Sequence, residues 1–206
     1  MKFYLVIFFF ILSLSASAQK VTQDVLASAH LDKIVLSSDE IYRINIKAST
    51  REEIQIKTKT EGEYFNQISL DTKLEGNTLL LSSRYREILQ SGYDKLSAHK
   101  VFSMEVDLEL PEGMVLQINS NTASVYLSGR YKSVFIELKN GSCYLSNFSG
   151  EAVINTYDGN ILGTVSKVNV EAKTRHGTVN LPQVPDGVHN MVLTSINGDI
   201  KLTETK

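Results

Sequence analysis

Beyond residue 18, apolar and polar side chains alternate in short runs rich in Val, Ile, Leu, Tyr and Thr, set between polar turns, with almost no helical periodicity. A period of two buries one face of an extended strand and leaves the other in water, so the chain reads as all-β. In the second half the alternation itself repeats. Ala123, Gly141, Gly159 and Gly177 stand 18 residues apart, and Gly198 follows after 21. Two residues after these anchors lie Val125, Cys143, Ile161, Val179 and Ile200; five before them lie Ile118, Ile136, Ile154, Ala172 and Leu193. The positions between are mostly polar, among them Ser124, Ser142, Asn160, Thr178 and Asp199. A fixed repeat with one side-chain class per column suits coils stacked about 4.8 Å apart, with like residues in ladders. The expectation for residues 111–206 is a parallel β-solenoid of 18-residue coils. Asn140-Gly141, Asp158-Gly159, His176-Gly177 and Asn197-Gly198 place glycine where a turn calls for positive φ. The three extra residues before Gly198 fall in Leu181–Gly187, beside Pro182 and Pro185, and are expected to bulge outward.

Residues 41–110 alternate without the repeat: Ile41, Ile44 and Ile46, then Ile54 and Ile56, Ile68 and Leu70, Leu79 and Leu81, and Met104 to Leu110. These predict an antiparallel β-meander, and residues 19–110 are expected to cap the first coil, whose open edge would otherwise recruit other chains. Arg84–Lys100 breaks the alternation with charge, Gly92 and two tyrosines. It reads as a long loop or a short helical insertion, and long loops in compact domains often carry sites, so Tyr85 and Tyr93 form a candidate loop site.

The first 18 residues differ in kind. Lys2, the apolar run Phe3–Leu14 and Ala16-Ser17-Ala18 form an export signal, with cleavage expected before Gln19. The run is too short for a membrane span, and no later segment is comparably apolar, so no integral membrane segment is expected after cleavage. Cys143 is the single cysteine, which leaves no internal disulfide and no lipid-bearing cysteine at the cleavage site. The expected location is the periplasm, the cell surface or the medium.

Charge and chemistry subtract function classes. A net charge of −2 gives no electrostatic basis for nucleic-acid binding. His30, His99, His176 and His189 are scattered, and no HExxH, nucleophile elbow or phosphate-cradling glycine motif occurs, so no catalytic, cofactor or metal residue is assigned. Glu105, Asp107 and Glu109 alternate with Met104, Val106, Leu108 and Leu110, as a solvated strand face does. Cys143 shares a column with aliphatic residues and reads as a core thiol. One polar-face column departs from the rest. Three residues after successive anchors lie Tyr126, Tyr144 and Leu162, a stripe that reads either as cross-strand ladder packing or as a binding platform for glycan or protein.

Leu110-Pro111-Glu112-Gly113, followed by Ala123-Ser124-Val125, Asn140-Gly141-Ser142, Asp158-Gly159-Asn160, His176-Gly177-Thr178 and Asn197-Gly198-Asp199, resembles the bacterial putative-adhesin family of β-strand repeats, the DUF4097-type domain, in its exported Bacteroidetes-like members. The resemblance implies a solenoid-like fold and an envelope location and supplies no catalytic residues. The functional expectation is a non-enzymatic envelope protein that binds or scaffolds, adhesin-like, with a glycan or envelope protein as partner. The alternatives are a β-helical carbohydrate-active enzyme, which needs convergent acids from among Glu137, Glu151, Asp158, Glu171, Asp186 and Asp199, and an envelope sensor or accessory protein.

Overall fold

The computed structural model describes residues 19–62, 65–85, 102–182 and 187–205. Alternation produces strands throughout these residues: β1 (Gln19–Ala27), β2 (Lys33–Ser37), β3 (Ile41–Ser49), β4 (Glu53–Gly62), β5 (Ile68–Glu75), β6 (Thr78–Tyr85), β7 (Phe102–Pro111), β8 (Val115–Ser120), β9 (Ser124–Leu138), β10 (Cys143–Thr156), β11 (Ile161–Val165), β12 (Val168–Thr174), β13 (Val179–Asn180), β14 (His189–Ser195) and β15 (Ile200–Glu204). The protein is all-β, and the 15 strands form one large mixed sheet.

That sheet has two runs. The first has the order β1-β4-β7-β3-β9-β10-β11-β15-β13, and the second β5-β6-β2-β8-β9-β10-β14-β12. The long strands β9 and β10 belong to both. Residues 124–128 of β9 pair with β3, and residues 133–138 pair with β8. Between the two halves stands Gly129, at φ 97°, where β9 turns; Gly150, at φ 144°, marks the same place in β10. The inward side chains of both runs form one core, which includes Ile34, Leu36, Ile44, Val106, Leu116, Val125, Ile136, Ile154, Ile161 and Ile200, each fully buried. Tyr131 and Phe148 stack at a centroid distance of 5.7 Å inside it. The buried Tyr131 hydroxyl donates to the carbonyls of Ser128 and Ile46, 3.0 and 3.2 Å away, and so joins β9 to β3.

The repeat columns pair as ladders where the spacing is 18: Val125↔Cys143↔Ile161 and Tyr126↔Tyr144↔Leu162 are in parallel register. The later coils depart from chain order. Ile161 pairs with Ile200, and Ile200 with Val179, so β15 lies between β11 and β13, just as β14 lies between β10 and β12. The stack is therefore not a strict succession of 18-residue coils. Columns of one side-chain class specify which face a strand buries, and they do not rank the strands along the stack. The extra residues between Gly177 and Gly198 include 183–186, which lie outside the described residues.

The turn glycines also serve a different purpose from the one expected. Gly141, Gly159, Gly177 and Gly198 do not have positive φ. A Cβ at each would stand under 3.0 Å from the carbonyl oxygen of the anchor beneath it: Ala123, Gly141, Gly198 and Gly159 respectively. The anchors thus touch backbone to backbone, in the order of the strands. Hydroxyls three residues before the anchors complete this column. Thr156 donates to the Gly141 carbonyl at 3.0 Å, Ser195 to Gly159 at 2.9 Å and Thr174 to Gly198 at 2.8 Å, which satisfies carbonyls that would otherwise be buried unpaired.

The first half is not the expected antiparallel meander. Among the described residues, antiparallel pairing is confined to β1–β4, β4–β7 and β5–β6, whereas β3 runs parallel to β7 and β9, and β2 parallel to β6 and β8. Alternation sets the buried face of a strand and says nothing of the direction of its neighbour. Arg84 and Tyr85 belong to β6, which runs further into the charged segment than the sequence suggests; residues 86–101, and Tyr93 with them, lie outside the described residues.

Candidate functional site

The outer face of the first run carries a continuous row of side chains across seven strands. Strand register aligns Gln23 with Lys57, Lys57 with Asp107, Asp107 with Asn45, Asn45 with Tyr126, Tyr126 with Tyr144, and Tyr144 with Leu162. Tyr126, Tyr144 and Leu162, predicted from the repeat, are therefore adjacent, and all three are half-buried. Beside them lies a groove of about 440 Å³ bounded by Tyr126, Tyr144, Asn45, Lys57, Asp107 and Gln23.

The tyrosines are stacked. Their ring centroids are 4.5 Å apart and their planes 10° from parallel, a spacing set by neighbouring strands. The Arg43 guanidinium lies 4.5 Å from the Tyr126 centroid, and its Nη2 donates to the Tyr126 hydroxyl at 3.0 Å. Tyr126 is thus held between Tyr144 and Arg43. The row offers ring edges and hydroxyls to the groove rather than a flat run of ring faces.

The opposite wall is polar, and Asn45, Asp107 and Glu109 in it are tied to their neighbours. Asn45 Nδ2 donates to Asp107 at 2.6 Å and to Glu105 at 2.9 Å. Arg43 stands 3.9 Å from Glu105, and Arg51 3.6 Å from Glu109. The Tyr42 hydroxyl donates to Glu105 at 3.4 Å; burial and the Glu105 carboxylate raise the Tyr42 pKa above its usual value. The three acids of β7 are engaged by amide and guanidinium groups, which makes them parts of a fixed wall. Arg43, Asn45, Lys57 and Gln23 were not singled out from the sequence. Their alternation marks them as outward-facing, but their place beside Tyr126 depends on β3 pairing with β9, about 80 residues away along the chain.

Several other chemical candidates are occupied or enclosed, while Glu137 and Glu171 stand on separate strands, β9 and β12. Cys143 is fully buried, and burial pushes its thiol up to about 12. Among the repeat-region carboxylates, Asp158 accepts from Asn197 at 2.5 Å, and Glu151 accepts from the Asn190 amide at 3.1 Å with His189 3.6 Å away. Asp199 accepts from Thr178 and pairs with Lys201 at 2.5 Å, contacts that hold its carboxyl down at about 2. Asp186 lies outside the described residues. No group of three His, Cys, Asp or Glu side chains placed to hold a metal occurs among the described residues, and no helix among them is long and apolar enough to cross a membrane.

No family model and no curated protein matches the chain. Solved structures do. A putative cell adhesion protein from Clostridium sporogenes aligns at 14% identity over 91% of this chain and 100% of its own, with a TM-score of 0.61. A putative adhesin from Bacteroides fragilis and a putative lipid binding protein from Parabacteroides distasonis cover 89% and 93% of this chain and 97% and 98% of theirs, at 11% identity each, with TM-scores of 0.34 and 0.32. The two lower scores carry no weight for the fold. The first shows that this chain shares the fold of the Clostridium sporogenes protein.

Proposed function

We propose that the chain is an exported, non-enzymatic binding protein of the cell envelope, adhesin-like in role, and that its ligand is a glycan or an envelope protein seated in the groove beside Tyr126 and Tyr144. The groove carries this reading. It combines an aromatic wall with polar groups of which Asn45 and Asp107 are already held by a hydrogen bond, and that lowers the side-chain ordering that opposes binding. Leu162 continues the aromatic row beyond the groove. The adhesion neighbour of the same fold is in keeping with this role. In the same reading, residues 111–206 form the solenoid scaffold and residues 19–110 its cap, in keeping with the parallel 18-residue registers of β9, β10 and β11.

The test is a glycan array and capture from envelope extract, with the wild type beside a Tyr126→Ser/Tyr144→Ser variant whose folding is checked by its denaturation midpoint. Loss of at least about 1 kcal/mol of partner affinity in the folded variant supports the reading, since large amphipathic side chains dominate binding energy. Unchanged affinity removes the groove.

A further inference from the structure

The two ends of the sheet are finished differently. At one end β1 carries Asp24 on its core side, in register with the buried Ile56, and an inward-facing charge is a means of keeping an edge strand from pairing. At the other end, among the described residues, β12 is bonded only to β14 and β13 only to β15. The core-side residues there are apolar or small. Val170 and Ala172 are half-buried and Val179 is 43% exposed, although Met191, Leu193 and Ile200, next to them in the same columns, are at most 1% exposed. Among the described residues, no layer covers the core at this end.

The outward side of β12 specifies what fits. Glu171 and Lys173 flank Ala172, both exposed, and neither forms an ion pair among the described residues. Two copies of this strand, laid antiparallel about a two-fold axis at Ala172, bring Glu171 of each against Lys173 of the other and Val170 against Thr174. Slipping the pair by two residues sets Glu171 against Glu171 in one direction and Lys173 against Lys173, with Glu171 against Arg175, in the other, so the register about Ala172 is the one that has two attractive pairs and no like-charged pair.

We propose that the β12–β13 end is a homodimer interface, where β12 pairs antiparallel with β12 of a second copy and each copy covers the other's Val170, Ala172 and Val179. The contact is isologous, the commonest arrangement for soluble dimers, and it closes both exposed edges in one step. It uses strands apart from the groove, so it stands or falls independently of the binding reading.

Sedimentation of the purified chain over a range of concentrations tests it, with circular dichroism confirming the fold of each variant. The wild type should dimerise. Glu171→Lys and Lys173→Glu should each weaken the dimer by about tenfold or more, since each turns two attractive cross-strand pairs into repulsive ones. An equimolar mixture of the two variants should restore dimers, because every pair across the axis is then of opposite charge. A monomeric wild type at all concentrations overturns the proposal. So does a dimer indifferent to both substitutions, or a mixture that stays monomeric.

Discussion

Gly159 lies against Gly141 with no room between them for even a methyl group: a Cβ on Gly159 would fall under 3.0 Å from the Gly141 carbonyl oxygen and from the Thr156 hydroxyl that bonds it. Gly159→Ala should therefore destabilise the protein by about 1 to 3 kcal/mol or more, because the nearest obstructing atoms belong to the Gly141 backbone and cannot rotate away. Gly76 offers a control. It has φ +58° with open space around its Cβ position, so Gly76→Ala costs only the left-handed conformation, about 1 kcal/mol. Equal denaturation midpoints for the two variants would contradict the packed turn column.

Cys143 makes a second prediction. Its thiol is fully enclosed and raised from an ordinary 9.0 to about 12, so native protein should resist thiol reagents and react once unfolded. The unfolded thiol ionises above about pH 9 while the folded one keeps its proton until about pH 12. Stability from this group is thus complete below pH 9 and is lost as pH rises between the two values. Cys143→Ala should remove that part of the alkaline loss, measured as the difference in midpoint between variant and wild type across the interval. A constant difference would count against it.

Tyr131→Phe tests the corner where β9 meets β3. The ring remains stacked on Phe148, but the carbonyls of Ile46 and Ser128, buried and partly buried, lose the hydroxyl they share as donor. A loss of about 1 kcal/mol is expected, read from chemical denaturation. A neutral result would mean that those carbonyls find other donors.

Asp199 ties β15 to the turn before β13 through the Thr178 amide and hydroxyl, both within 2.9 Å, and through Lys201. Its folded pKa of about 2 lies below the ordinary 3.8, so the stability it contributes is present above pH 3.8 and is lost as pH falls towards 2. Asp199→Asn should lower the melting temperature at neutral pH, with an effect that shrinks as pH falls through about 2. Parallel acid profiles for the two proteins would remove this linkage.

The buried faces were legible in the sequence because a period of two leaves little freedom in which side a residue takes. Val125, Cys143, Ile161 and Ile200 are all fully buried, and the one exposed member of their column, Val179, stands on the outermost strand. Neighbour identity was not legible. Nothing in the side chains of β13 and β15 distinguishes their places, since Val179 and Ile200 would each fit beside Ile161. The same limit hid half of the candidate site. Tyr126 and Tyr144 stand one repeat apart, but Arg43 and Asn45 reach them only through a long-range pairing that leaves no periodic trace. The glycine column was found for the wrong reason. Turn chemistry marked the positions, and close backbone approach explains them.

The placing of β14 and β15 inside the stack has a consequence for how the chain must be assembled. They follow β12 and β13 in the chain, yet they are the only described partners of those strands. The earlier pair therefore emerges before its native partners, and any pairing it made with β10 and β11 would have to be undone for β14 and β15 to enter. Folding of this region must wait for residues 189–204 and then close around them, a long-range step whose entropic cost comes before its contacts form. A chain that ends before His189 would lose four strands rather than two.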